Sequence, residues 1–535
     1  MGADPLLHIK GLRIEGLSDG SWRPILRGID LHLARGEVLG LIGESGAGKS
    51  TLGISAMGAV REGCRFADGE IRFDGQDLIA LGDEGCRPLR GARIAYVAQS
   101  AAASFNPAHR LIDQTIEASI QHGLLTDGAA RAEAVALYRQ MQLPAPEEIG
   151  FRYPHQVSGG QLQRVMTAMA MLCRPDLIIF DEPTTALDVT TQVEVLAAIR
   201  SAVKTNGTAA IYVTHDLAVV SQMADRIMVL RHGQVVEEAQ TRAMLAAPTQ
   251  EYTRSLWAVR KLNRPNQPDA QALLTVVGAS AAYPAGPEVL RDVSVTVPRG
   301  RTVAVVGESG SGKSTLARVI TGLLPPVAGT ITFDGTALSP TLAGRSHDMR
   351  RRIQMIYQSA DTALNSRQRL SEIIGRPLSF YHGLSGAARD RRVAELLEQI
   401  ELPPDFADRF PQELSGGQKQ RVSIARALAA EPDLILCDEV TSALDQIVQE
   451  EILRLLMRLQ DEKGISYLFI THDIATVRAI ADRVVVMHRG AVVEQGPKAQ
   501  ILSPPHAPYT RLLLSSVPEM DPDWLGRLLE LRSRG

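Results

Sequence analysis

The chain has little cysteine. Four residues in 535, Cys64, Cys86, Cys173 and Cys437, stand apart without CxxC spacing. That excludes a disulfide scaffold and a zinc ribbon, and it suits a reducing compartment. Long apolar runs are missing too. No stretch reaches the ~18 residues that a membrane-spanning helix needs. The opening MGADPLLHIK has no basic segment followed by an apolar one, so no secretory signal is expected. Neither sign of charge prevails, since 57 Lys+Arg against 60 Asp+Glu leave −3. Dedicated nucleic-acid binders usually carry a strong basic excess, so that class is disfavoured. What is present is 45% apolar and 22% charged residues, a composition that excludes wholesale disorder.

The chain repeats itself. LGLIGESGAGKSTL (39–52) returns as VAVVGESGSGKSTL (303–316), and QVSGGQLQR (156–164) as ELSGGQKQR (413–421). LIIFDEPTTALD (177–188) returns as LILCDEVTSALD (434–445), and IYVTHDLA (211–218) as LFITHDIA (468–475). The offset is 313 − 49 = 264 at the first motif, and 415 − 158 = 438 − 181 = 472 − 215 = 257 thereafter. Constant downstream spacing points to a rigid arrangement, and the shorter upstream stretch of the second half to tolerant loops. Two domains are expected, 1–262 and 273–535. A linker, 263–272, is expected near the polar, two-proline stretch KLNRPNQPDAQ (261–271).

Each half has the same coarse layout. Apolar runs Val38–Ile42 and Val303–Val306 open into Gly-rich turns. GEIRFDG (69–75) and GTITFDG (329–335) alternate apolar and polar, as half-exposed antiparallel strands do. Ala-rich helical segments follow, about 112–142 and 371–402, then apolar strands alternating with helices. That alternation predicts an α/β fold whose parallel sheet is covered on both faces. RIMVLRHGQVVE (226–237) and RVVVMHRGAVVEQG (483–496) read as hairpins turning at His-Gly and Arg-Gly.

GESGAGKS (43–50) and GESGSGKS (307–314) fit GxxxxGK[ST] between an apolar strand and a helix. Such a loop curls its backbone N–H groups around phosphate oxygens, and the following helix adds its positive end. The candidate nucleotide-binding residues are Gly43, Ser45, Gly46, Gly48, Lys49, Ser50 and Thr51, with Gly307, Ser309, Gly310, Gly312, Lys313, Ser314 and Thr315 in the repeat. The chain has eight lysines against 49 arginines, so a lysine at this place twice is not compositional drift. A compact ammonium suits the cradle better than a planar guanidinium. Ser50 and Ser314 are expected to ligate Mg²⁺. DLIIFDE (176–182) and DLILCDE (433–439) are apolar strands ending in two acids. Asp181 and Asp438 are expected to hold the Mg²⁺ through water, and Glu182 and Glu439 to orient the attacking water. Phosphoryl transfer relies mostly on such positioning and on charge stabilisation.

Together these residues resemble the ATP-binding cassette (ABC) ATPases. The specific element is the signature Ser158-Gly159-Gly160-Gln161, repeated as Ser415-Gly416-Gly417-Gln418, with the acidic strand end 181 − 158 = 438 − 415 = 23 residues later. The resemblance implies two tandem P-loop NTPase domains. Each has a RecA-like parallel-sheet core, an antiparallel β-subdomain and an α-helical subdomain. It implies that Gln99 and Gln358 are Q-loop residues reaching the nucleotide's metal, Asp188 and Asp445 D-loop residues, and His215 and His472 switch histidines at the γ-phosphate. With Glu182 and Glu439 these histidines form the expected catalytic set. It also implies head-to-tail pairing, in which each ATP lies between one half's P-loop and the other half's signature. Tyr283 is the natural adenine-stacking aromatic of the second half; Trp22, with Leu17 at the aligned position, is the nearest in the first.

Within the family the chain resembles the ATPase subunits of bacterial oligopeptide/dipeptide importers, in fused two-cassette form. SFNP (104–107), RYPHQVSGGQLQR (152–164), FPQELSGGQKQR (410–421), DEPTTALDVT (181–190), EYTRSLW (251–257) and HAPYTRLL (506–513) carry that likeness. It implies ATP and Mg²⁺ as cofactors and two integral-membrane permease subunits as partners. An extracytoplasmic solute-binding protein would act indirectly, and one chain would serve each transporter, on the cytoplasmic face of the bacterial inner membrane. No cysteine follows Cys437, so the iron–sulfur cluster carried by many such subunits is not expected. Val440 replaces the usual proline after the second glutamate. The alternative, a tandem cassette acting on ribosomes or DNA, lacks its usual charged helical linker or zinc modules, and no nucleic-acid partner is expected.

Overall fold

The computed structural model describes residues 5–18, 20–184, 187–258, 264–265, 270–284, 286–442 and 444–534. The expected domain end at 262, and residues 263 and 266–269 of the expected linker, lie outside them. The chain forms two compact units, Met1–Ala258 with Pro518–Gly535, and Val259–Val517. The expected second domain ran to residue 535. The chain from Pro518 onward instead packs in the first unit, where Trp524, Leu525 and Leu528 of the helix Trp524–Arg534 are buried.

The first unit holds two sheets. One is antiparallel, with β1 (Leu7–Ser18), β2 (Ser21–Leu33), β4 (Cys64–Phe73) and β5 (Gln76–Asp77) in the order β2-β1-β4-β5. The other has the order β10-β9-β3-β8-β7-β6, from β3 (Val38–Ile42), β6 (Ile94–Val97), β7 (Leu177–Asp181), β8 (Ala209–Val213), β9 (Arg226–Arg231) and β10 (Gln234–Gln240). All its pairings are parallel except β9–β10. VLGLI, LIIFD and AAIYV are buried at every position. That is why these strands read as unbroken apolar runs: helices cover both faces. The expected helical segment is the pair Leu111–Gln121 and Asp127–Gln140.

The second unit repeats the plan. Its antiparallel sheet, β12-β11-β14-β15, comprises β11 (Ala272–Ala282), β12 (Glu288–Pro298), β14 (Ala328–Phe333) and β15 (Thr336–Ala337). Its main sheet, β16-β17-β18-β13-β19-β20, comprises β13 (Thr302–Val306), β16 (Ile353–Ile356), β17 (Leu434–Asp438), β18 (Ser466–Ile470), β19 (Arg483–His488) and β20 (Ala491–Pro497). Its helical segment is Leu370–His382 and Gly386–Gln399.

The two hairpins brace the P-loops. His232 and Gly233 turn with φ of 49° and 76°, and Arg489 and Gly490 with 48° and 84°. Positive φ at both central residues is the type I′ pattern that suits strand twist. Gly233 N–H donates to the Ala47 carbonyl at 3.2 Å, and its carbonyl accepts from Arg27 N–H at 2.9 Å. Gly490 does the same with Ser311 and Arg291, at 3.1 and 2.8 Å. Each turn thus ties its P-loop to β2 or β12.

Candidate active sites

In each unit the P-loop follows the C-terminal end of a central parallel strand, the place where open α/β sheets bind ligands. Lys49 Nζ donates to the carbonyls of Gly43 (2.7 Å) and Glu44 (2.8 Å), and Lys313 Nζ to those of Gly307 (2.8 Å) and Glu308 (2.7 Å). Both lysines are buried, so the loop carbonyls hold a dry positive charge in the curl of the backbone. Ser50 Oγ lies 2.9 Å from Asp181 Oδ1, and Ser314 Oγ 2.9 Å from Asp438 Oδ1. Burial holds the Asp438 carboxyl above its usual value, against the Ser314 hydrogen bond. Hydroxyl and carboxylate oxygens fit Mg²⁺, which takes one or two carboxylates and completes its shell with water and substrate phosphates. Among the described residues no three His, Cys, Asp or Glu converge as a full metal cage.

Beside each metal-competent carboxylate stands a hydrogen-bonded trio. Gln99 Nε2 donates to Glu182 Oε2 at 3.0 Å, and His215 Nδ1 lies 3.1 Å from Glu182 Oε1. Gln358 Nε2 donates to Glu439 Oε2 at 2.7 Å, and His472 Nδ1 lies 3.4 Å from Glu439 Oε1. Burial opposes protonation of both imidazoles, yet the facing glutamate outweighs it and holds each above its usual value. Burial likewise opposes ionisation of Glu439, but His472 and then Lys313 hold it below the usual carboxylate range. Glu182 and Glu439 have φ of 49° and 50°, a left-handed backbone costly for a residue with a Cβ. Such strain concentrates at functional sites. Val440, in place of proline, leaves that conformation unchanged, because the two φ values agree to one degree.

The signature residues are helix caps within their own unit. Ser158 Oγ accepts from Gln161 N–H, while Gln161 Oε1 accepts from Ser158 N–H at 3.1 Å; Ser415 and Gln418 repeat this. Reciprocal capping fixes the serine at the first turn of Gly159–Met171 and of Gly416–Leu428. Gly159 has open space around its Cα, whereas a Cβ on Gly160 would meet Thr191 Cγ2 at 2.1 Å. The second glycine therefore lets the neighbouring helix pack, and the first leaves the backbone open. Asp188 caps Val189–Asn206 by accepting from Thr191 N–H, and Asp445 caps Gln446–Lys463 by accepting from Val448 N–H. Tyr283 is 37% exposed, and its hydroxyl accepts from Arg318 at 2.9 Å. Trp22 is 40% exposed beneath the Arg65 guanidinium, opposite Leu17 in the β1–β2 register.

Three tyrosines join these sites without having been singled out in the sequence. Tyr96 donates to Asp181 Oδ2 at 2.6 Å, and burial followed by that carboxylate pushes its phenol well above the usual range. The same register position in the second unit is Met355, so only the first Asp has this partner. Tyr252 and Tyr509 accept from the P-loop N–H groups of Glu44 (3.2 Å) and Glu308 (3.0 Å). They lie 509 − 252 = 257 residues apart, the downstream motif offset, and that recurrence was the available signal.

The profile of the ABC transporter family matches residues 26–185 and 290–442. That of the oligopeptide/dipeptide transporter C-terminal region matches 493–534. The glutathione import ATP-binding protein GsiA of Salmonella choleraesuis (strain SC-B67) is 37% identical over 562 residues, spanning 97% of this chain and 90% of its own. The uncharacterized ABC transporter ATP-binding protein YejF of Escherichia coli (strain K12) is 37% identical over 525 residues, spanning 95% and 99%. The solved structure of cbiO1 from Clostridium perfringens, part of the ABC transporter complex cbiONQ, is 32% identical, with a TM-score of 0.39, over 43% of this chain and 90% of its own. Two P-loops, two acidic strand ends and two SGGQ caps, matched by that family in both halves, place the chain in the ABC transporter ATP-binding family as a fused pair of cassettes.

Proposed function

We propose that the chain hydrolyses ATP to drive a membrane importer of peptides or peptide-like solutes, working on two permease subunits at the cytoplasmic face of a bacterial inner membrane. A solute-binding protein outside delivers the cargo. The observation that carries the reading is the duplicated trio, Gln99–Glu182–His215 and Gln358–Glu439–His472, beside two Ser–Asp pairs of equal length. The names of the relatives, a glutathione import ATPase among them, and the matched C-terminal region favour a peptide-type cargo. No helix among the described residues is long and apolar enough to cross a membrane, so the transport path belongs to other subunits.

In this reading Lys49 and Lys313 meet the β- and γ-phosphates, and Ser50, Gln99 and Asp181, or Ser314, Gln358 and Asp438, hold Mg²⁺. The ion supplies charge neutralisation across the phosphates when bound. Glu182 and Glu439 orient and deprotonate the attacking water, and His215 and His472 hold a proton toward the γ-phosphate. Site one joins the first unit's set to Ser415–Gln418 and Asp445. Site two joins the second unit's set, with Tyr283 on the adenine, to Ser158–Gln161 and Asp188. The nucleotide then bridges the cassettes, and loss of the terminal phosphate reopens them. Glu182→Gln and Glu439→Gln, assayed singly, test the reading. Each alone should remove about half of the turnover or more, and the two together should cut it by about 10²-fold or more, within the range of a lost general base. If either leaves turnover intact, two equivalent working sites are refuted.

A further inference from the structure

The helix Leu217–Met223 of the first unit carries a buried glutamine, Gln222. Its Nε2 donates to the carbonyls of Glu519 and Asp521, both at 2.8 Å, and its Oε1 accepts from Leu525 N–H at 3.0 Å. Arg242 pairs with Asp523 at 2.8 Å. One side chain thus fixes three backbone groups of the C-terminal segment, while Trp524, Leu525 and Leu528 bury behind them. Buried backbone groups need such partners, so this seat is specific.

The second unit has a matching seat. Arg264 N–H donates to the Ala479 carbonyl at 3.0 Å, and the Arg264 carbonyl accepts from Lys498 Nζ at 2.7 Å. The guanidinium bonds Gln460 and reaches Asp461 at 2.7 Å. The positions correspond, since 521 − 264 = 479 − 222 = 257. The routes correspond as well. Tyr252 touches the first P-loop 264 − 252 = 12 residues before Arg264, which lies in the second unit. Tyr509 touches the second P-loop 521 − 509 = 12 residues before Asp521, which lies in the first.

We propose that the segments following the two cassettes are exchanged, each leaving the unit whose P-loop it touches and seating in the same groove of the other. The exchange keeps the empty cassettes paired, so ATP closes a pair already assembled. Such tethering sustains an effective concentration on the order of mM. The grooves are not interchangeable. Lys204 stands where the second unit has Asp461 (461 − 204 = 257), so an arginine seated there would meet its own charge. Asp521 instead turns outward to Arg527 at 2.6 Å, beside a cavity of about 690 Å³ lined by Val38, Val203, Lys204 and Pro522.

The test nicks the intact protein. A protease site replaces residues 266–270 in the full chain, and the purified protein is cleaved without nucleotide. The proposal expects the two fragments to run as one particle in gel filtration and native mass spectrometry at micromolar concentration. Gln222→Ala with Leu525→Asp, or Arg264→Ala, should raise their dissociation constant at least tenfold, and all three substitutions at least a hundredfold. Truncation after Val517 provides a second route should Leu525→Asp misfold. Re-pairing of the nicked variant fragments by Mg-ATP, in a Glu182→Gln/Glu439→Gln background, verifies that they remain folded. Wild-type fragments that separate on cleavage would overturn the proposal, as would groove variants that hold together like wild type. Neither result bears on the ATPase reading, which rests on turnover.

Discussion

Gly233 and Gly63 form a matched pair for testing how the hairpin braces the P-loop. Their φ values are 76° and 77°, so an alanine meets the same left-handed penalty at either, about 1–2 kcal/mol. Their surroundings differ. A Cβ at Gly63 meets nothing within 4 Å, but at Gly233 it would sit 2.0 Å from the Ile25 carbonyl oxygen. Backbone has to move, at about 1–3 kcal/mol for overpacking, and the Arg27 N–H bond to the Gly233 carbonyl is endangered, about 1 kcal/mol more. Gly63→Ala should therefore cost about 1–2 kcal/mol and Gly233→Ala roughly 3–6 kcal/mol. In a cassette-sized unit a gap of about 2–4 kcal/mol corresponds to a midpoint difference of roughly 4–16 °C. Thermal unfolding of the two variants, side by side with ATP affinity, measures it. Gly233→Ala should also weaken ATP, because Gly233 N–H holds Ala47 in the loop. Equal midpoints for the two variants would refute the argument that the close approach, and not φ, makes this glycine necessary.

Tyr96→Phe removes the phenol that orients Asp181 and should lower Mg²⁺ affinity at the first site about tenfold. Nucleotide binding titrated against Mg²⁺ reads this, and an unchanged requirement would show the contact to be idle. Tyr252→Phe should weaken ATP at the first P-loop about fivefold by removing the hydroxyl that accepts from Glu44 N–H, and Tyr509→Phe should weaken it at the second by removing the one that accepts from Glu308 N–H. His215 and His472 are held above the usual imidazole value of 6.5. Their contribution to stability is therefore full below that pH and lost as pH rises through the folded value. The Glu439 contribution is present above its usual 4.5 and lost as pH falls through the depressed value. A His215→Gln/His472→Gln variant should thus fall furthest behind wild type near pH ~6 and least near pH ~9, by denaturant midpoint. A gap that widens with pH would contradict the sign. Purification from native membranes should recover integral-membrane partners; ribosomes or DNA without them would overturn the importer reading.

Much of this was legible because the chain states its plan twice. An unbroken apolar run such as VLGLI means a strand buried on both faces, and a constant 257-residue offset means that what lies between is packed. The P-loop lysines and the Ser–Asp pairs followed from residue type at fixed spacing, and the two histidines from the resemblance to the ABC ATPases; their contact with the glutamates came with the fold. What escaped lives in tertiary structure. Tyr96 meets Asp181 across neighbouring strands, and with Met355 at the matching position the repeat gives no hint of it. The left-handed glutamates cannot be inferred from composition, because strain is imposed by the surrounding fold. KLNRPNQPDAQ reads as a bare linker, yet Arg264 within it is buried. Arg264 and Asp521 occupy matching places with opposite charge, so similarity could not reveal that they correspond.

The central claim is that each ATP is held by both cassettes at once. Photolabelling with an azido-ATP analogue in a hydrolysis-blocked Glu182→Gln/Glu439→Gln background, with Ser415→Arg added, tests it directly. Peptide mapping should find trapped label lost from the first unit's P-loop, around Lys49, and retained around Lys313. Loss around Lys313, in the unit that carries Ser415, would contradict the account.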